Sequence, residues 1–238
     1  MEKVRYIELR PAEFRTRLTQ KPVAYLPLGT LEWHGEHLPL GADAIQSEAL
    51  MVECARRFGG IVLPPLFLGP DQRKEIEGGR YLVGMDTHES TQPHQQLAGS
   101  AYWVADEFFL RLLDAILEQV KRAGFKAVFA DGHGPSRRLW VNNIPANEKR
   151  FGLKLLGTTD DLKEQWPYMV DHAAKNETSI TMHVRPDCVD LSVFPDGERS
   201  QALGVGFGGH PCKATEALGK EAMEKAIEMV RRKLEAIS

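Results

Sequence analysis

The sequence predicts an α/β protein with a mostly parallel central sheet and helices on both faces. Short apolar runs alternate with longer stretches of helical periodicity from Val23 to Thr158. The runs read as buried strands, the kind covered on both faces. Glycines and prolines punctuate their ends, as at Gly29, Gly59-Gly60 and Gly124.

Each element follows from local chemistry. Residues 11–19 (PAEFRTRLT) form a short helix with Pro11 in its first turn. Val23–Leu28 is the first strand. From Asp43 to Phe58, the residues Ala44, Ile45, Ala49, Leu50, Val52 and Ala55 make an apolar helical stripe that Gly59-Gly60 ends. Ile61–Leu66 is a second strand, its end loosened by Pro64 and Pro65. Trp103–Ala123 is a helix carried by Val104, Phe108, Leu112, Ala115, Ile116 and Val120, with Gly124 just beyond it. Phe125–Ala130 is a buried strand, followed by a helix over Ser136–Arg150 and a strand over Leu153–Thr158. The last helix starts at Thr215, a suitable N-cap, and buries Leu218, Ala222, Ala226, Val230 and Leu234. Residues 69–101 break the pattern, with a small hairpin expected at Arg80–Met85. A long irregular segment inside a compact domain is usually functional. This one carries Arg73, Arg80, His88 and His94 and is expected to face substrate. The other reading is a solvated or subunit-contacting excursion.

The 238 residues fit one domain spanning 1–238, and 42% hydrophobic content is enough for a core. A net charge of −3 argues against a nucleic-acid surface. No run approaches the roughly 20 apolar residues of a membrane span. The N-terminus lacks a signal-peptide core, and three scattered cysteines suit a reducing, cytoplasmic setting. There is no GxGxxG after the first strand, no P-loop and no GxSxG, so nucleotide-binding and serine-hydrolase readings have no support.

Three stretches concentrate ligand chemistry. Glu32, His34, Glu36, His37 and Asp43 crowd the turn after the first strand. His133 sits between glycines in Asp131-Gly132-His133-Gly134-Pro135-Ser136, at the end of another strand. His172, Glu177, Thr178 and Ser179 cluster within 171–182. Carboxylates and imidazoles without thiolate suit zinc, manganese or iron. In extended backbone Glu32 and His34 leave the same face, and a reversal at Pro39–Gly41 would return Asp43 to them. Alone, the first stretch also reads as a surface turn of mixed charge. The second strand-end histidine favours a metal.

At these blocks the chain resembles the creatininase family. LPLGTLEWHGEHLPLGAD matches that family's E-x-H-G-x-H block with its following aspartate. ADGHGPS matches N-G-H-G-G-N, and HAAKNETS matches H-A-x-x-x-E-T-S. GHPCKATEALGK is a weaker fourth match. The resemblance implies a three-layer α/β/α sandwich, often hexameric, with one or two divalent ions. It implies Glu32, His34, Asp43 and His133 as metal ligands, with Asp43 able to bridge two ions. It places His172 beside substrate and Glu177 near the metal, as a ligand or as a group supporting the ligands. The chain departs at Asp131 and Ser136, where the family has Asn, and at Pro135, where creatininase has a metal-binding glutamate. The 69–101 loop replaces a G-x-S-x-E-H stretch, and Met169 replaces a substrate-contacting aspartate.

The expectation is a metal-dependent hydrolase of a small polar, cyclic substrate, cutting an amide C–N bond with a metal-activated water and using His172 and Glu177 as acid–base groups. One alternative is hydrolysis of a C–C bond in an oxidised cyclic polyol such as a keto-inositol. Another is a non-catalytic metal- or ligand-binding protein. The expected partners are a small-molecule substrate and further copies of the chain as a homo-oligomer, with no nucleic acid and no membrane.

Overall fold

Val23–Leu28 (β1) is buried at every position, and this is what the sheet is built on. The structure, a computed structural model, describes residues 2–158 and 171–236. Around β1 it places the helices Pro11–Gln20 (α1), Ala42–Phe58 (α2), Asp106–Arg122 (α3), Gly134–Phe151 (α4), Lys175–Val184 (α5) and Glu216–Glu235 (α6). The remaining strands are Ile61–Val62 (β2), Arg73–Ile76 (β3), Arg80–Val83 (β4), Ala127–Gly132 (β5) and Lys154–Gly157 (β6).

The main sheet has the order β2-β1-β5-β6, and every pairing in it is parallel. Successive residues of β1 point to opposite faces. Val23 and Tyr25 join α2, α5 and α6 through Leu50, Met51, Ile180, Ala226 and Ile227. Ala24, Leu26 and Leu28 join α3 and α4 through Phe109, Leu113, Leu117 and Trp140. Three layers result, as expected.

The strand order sets where a site can form. From β1 the chain passes through α2 to β2 on one side, then returns to β5 on the other. The carboxyl ends of β1 and β5 therefore flank a switch point, where parallel α/β sheets open a crevice. The two ends are tied together, since the His133 N–H donates to the Leu28 carbonyl at 3.1 Å. Gly132 has φ +137°, and a Cβ there would run into the Leu28 carbonyl. Only glycine permits this close approach.

Several boundaries differ from the sequence reading. The second strand stops at Val62, because Pro64 and Pro65 cannot donate to a ladder; the chain rejoins at a single bridge between Leu66 and Leu28. The hairpin begins earlier, pairing Arg73–Ile76 with Arg80–Val83 around Gly78-Gly79. α3 begins at Asp106 rather than Trp103, since Ala101 and Val104 are held extended by bridges to Leu31 and Pro70. Its buried stripe is Phe109, Leu113, Leu117 and Val120, while Phe108 is 45% exposed. The run FFLRLLDAIL offers two overlapping stripes, and packing on Leu26 and Val128 selects one. α3 closes as read: Gly124 N–H donates to Lys121 and Phe125 N–H to Val120, a full Schellman end. Thr215 caps α6 by accepting the Leu218 N–H at 3.2 Å. Met169 lies outside the described residues. No helix among the described residues is long and apolar enough to cross a membrane.

Candidate metal centre

Past Gly29 the chain stays irregular to Gly35, and neighbours hold it. Glu32 N–H donates to the Leu40 carbonyl at 3.0 Å, and Trp33 Nε1–H donates to the Leu203 carbonyl at 2.8 Å. This seats Glu32 and His34 side by side at the crevice. His34 is fully buried. Its Nδ1–H donates to the Glu32 carbonyl at 3.2 Å, so Nε2 carries the lone pair. Among the described residues, that Nε2 has no hydrogen-bond partner, and neither does Asp43 Oδ2. Around His34 Nε2 stand Asp43 Oδ2 at 3.6 Å, Glu177 Oε2 at 3.7 Å and Glu32 Oε1 at 3.9 Å. Asp43 reaches the cluster from the first turn of α2.

His133 precedes α4. Its Nδ1 pairs with the Ser136 hydroxyl at 3.0 Å, and its Nε2 lies 3.4 Å from Glu32 Oε1. Ser136, in place of the family's Asn, thus orients the imidazole. Two ligand sets emerge: Glu32, Asp43 and His133, and His34, Asp43 and Glu177. Asp43 belongs to both. Glu177 brings a carboxylate to the cluster from α5, while Pro135 at the start of α4 offers none. A third set adds His172 to Glu32 and His34.

The electrostatics call for a cation. Burial pushes the Glu32 carboxyl well above its ordinary value, and the neighbouring Asp43 adds to this. Burial, then Asp43 and Asp171, raises Glu177 in the same way. Burial works on Asp43 too, but the imidazoles of His34 and His133 outweigh it and hold it low. Burial, aided by His34, pushes His133 down to about 4 and His172 to about 3. Buried carboxylates facing neutral imidazole lone pairs repel one another and desolvate without compensation. A divalent ion would supply the missing charge, and the donor set fits zinc or manganese.

His172 lies against His34 with ring centroids 4.4 Å apart. Its Nε2–H donates to the Trp33 carbonyl at 2.8 Å, which leaves Nδ1 as the acceptor. The structure therefore brings together all six residues singled out from the sequence: Glu32, His34, Asp43, His133, His172 and Glu177. His37 stands behind them, bonded through Nε2 to the Thr178 hydroxyl at 2.9 Å.

Some contributors were not visible in the sequence. Asp171 accepts the N–H groups of Asn176 and Glu177 and so aims the start of α5. Ala173 has φ +54°, which turns its N–H onto Glu177 Oε2 at 2.7 Å. An Asp just ahead of a helix was the available signal for the first; the second leaves no trace in residue type. Asp131 accepts from the Thr158 hydroxyl at 2.6 Å and lies 3.7 Å from Arg137 Nη1, so an acid is accommodated where the family has an amide. Part of the 69–101 segment does face the site. Asp71, Met85 and His88 line a cavity of about 800 Å³ over the cluster. His94 and Arg80 stay exposed, and Arg73 stacks on Tyr81 at 4.3 Å outside it.

Comparison with known proteins agrees with this geometry. A family profile described as "Creatininase: Creatinine amidohydrolase" matches residues 8–234. The chain is 24% identical over 209 residues to creatinine amidohydrolase of Pseudomonas putida, covering 79% of this chain and 75% of that one. It is 28% identical over 174 residues to the mycofactocin precursor peptide peptidase of Mycobacterium ulcerans (strain Agy99), covering 71% and 60%. The solved structure "Creatininase Mn" superposes with a TM-score of 0.71 at 19% identity, over 99% of this chain and 98% of that one. With a profile match along nearly its whole length, this α/β/α chain with its shared-aspartate cluster belongs to the creatininase family.

Proposed function

We propose that the chain is a metal-dependent hydrolase that cuts an amide C–N bond in a small polar substrate. The observation that carries this is the pair of ligand sets meeting at Asp43, with His34 Nε2 and Asp43 Oδ2 buried and without partners among the described residues. Glu32, Asp43 and His133 would hold one ion, and His34, Asp43 and Glu177 a second. Ions held there supply an acidified water and a polarised carbonyl at neutral pH.

The chain's own residues do the rest. His172 is fixed by Trp33 in the tautomer whose Nδ1 accepts a proton. It is neutral near pH 7, with its pKa pushed down to about 3 by burial and His34. It takes a proton from the attacking water and returns it to the leaving nitrogen. Glu177 is held by the Ala173 N–H and committed to the cluster, so proton transfer falls to His172. Two relatives named for different amide bonds, in creatinine and in a peptide, support C–N cleavage as the shared chemistry.

The test is elemental analysis of protein purified without added metal, paired with assays on creatinine, linear formamides and a keto-inositol. About two ions per chain and turnover of an amide are expected. Asp43→Asn should lose both. Turnover that persists in metal-free protein refutes the proposal, and turnover of the keto-inositol alone moves the chemistry to C–C cleavage.

A further inference from the structure

The cavity over the cluster has a basic wall that amide hydrolysis alone leaves unused. The first turns of α4 carry Arg137 and Arg138, and both line the cavity with Asn142. Arg137 is held against the end of β5 by Asp131 at 3.7 Å. Arg138 is exposed and has no carboxylate at ion-pair distance among the described residues. Asn142 follows one helical turn later on the same face. An arginine fork and an amide donor one turn apart match the two oxygens of a carboxylate.

Most of the cavity's acidic groups are already committed. Glu32, Asp43 and Glu177 belong to the ligand sets. Asp171 is occupied by two N–H groups at the start of α5. Once divalent ions offset the ligand carboxylates, an incoming molecule meets positive charge on the α4 side of the cavity, and a concave wall of one sign concentrates the opposite charge. Among the described lining residues, Asp71 and the exposed Glu89 are the carboxyls outside these roles, and burial raises Asp71 to about 6.

We propose that the substrate bears a carboxylate, anchored by Arg138 and Asn142, which directs its scissile amide toward the metal cluster. This rests on the metal-hydrolase reading and names its substrate class. A neutral ring such as a keto-inositol would leave the anchor empty.

The test uses Mn²⁺-loaded protein and two probes, N-formylglycine and its uncharged amide, N-formylglycinamide. Paramagnetic broadening of the formyl proton reports binding beside the ion. The acid is expected to bind at least about tenfold more tightly than the amide, a difference of about 1.4 kcal/mol. Arg138→Gln should remove that preference with Mn²⁺ content unchanged, and Arg138→Lys should restore part of it. Equal broadening by both probes in the wild type overturns the proposal. A preference for the acid that survives Arg138→Gln also overturns it, because the carboxylate then sits on the ion. A wild-type chain that takes up no Mn²⁺ overturns the hydrolase reading and this inference together.

Discussion

Glu32 and Glu177 each hold a proton more tightly in the folded chain than their ordinary value of 4.5, chiefly through burial. In metal-stripped protein the native state keeps those protons at pH values where the unfolded chain has released them. Stability is therefore lost as pH rises through the folded values. His37, His133 and His172 act in the opposite direction. Burial holds them at about 4, 4 and 3 against an ordinary 6.5, so stability falls as pH drops below 6.5. Above 6.5 the histidine contribution is constant and only the carboxyls act. Calorimetric melts of stripped protein should therefore decline as pH rises past 6.5 through the folded values of these carboxyls, with a shallower decline in Glu177→Gln. Identical slopes in the two proteins would show that Glu177 is not a buried, proton-retaining group. Divalent metal should abolish the decline, because it binds the deprotonated ligands. At this scale the sequence was highly legible. Strand-end placement singled out Glu32, His34, Asp43 and His133, and the family-like block HAAKNETS added His172 and Glu177, whereas Ala173 was missed because its role lies in a backbone angle.

α5 and α6 meet at Gly219, where a Cβ would collide with the Ser179 carbonyl. Gly219→Ala forces the helices apart, at a cost of about 1–3 kcal/mol by overpacking. α5 also carries Glu177, so the same change should weaken uptake of the ion held by His34, Asp43 and Glu177. Urea melts and Mn²⁺ titration together check this; a stability loss with unaltered metal affinity would mean that α5 keeps its place without α6. Most elements were readable from periodicity and caps, as the Gly124 and Thr215 termini show, but the helix α5 over Lys175–Val184 was not. Element phase was less so. α3 has apolar residues around more than half its girth, and the choice of Phe109 over Phe108 as core was made by the sheet beneath it.

The metal set draws on the segment after β1, on α2, on the end of β5 and on α5, so an ion there cross-links both halves of the chain. Ions that bind only the folded form stabilise it by mass action, by about 2.7 kcal/mol at a hundred times Kd. For a chain of this size that corresponds to roughly 5–10 °C in Tm. Mn²⁺ added to stripped protein should raise Tm by that amount, and His34→Ala should reduce the rise. An unchanged Tm in the wild type would remove the ion from the fold's stability.

The sequence by itself determined the layer architecture, because strands buried on both faces and amphipathic helices each have one way to hide their apolar surface. It also determined the ligand chemistry, since carboxylates and imidazoles are named by residue type. Only the tertiary structure decided that Glu177 reaches the cluster beside His34 and Asp43. Residues 43 and 177 are far apart in sequence, and their meeting depends on how α2 and α5 pack on one face of the sheet. The same holds for the basic wall: Arg138 reads as an ordinary surface charge until the end of β5 turns the start of α4 over the cavity.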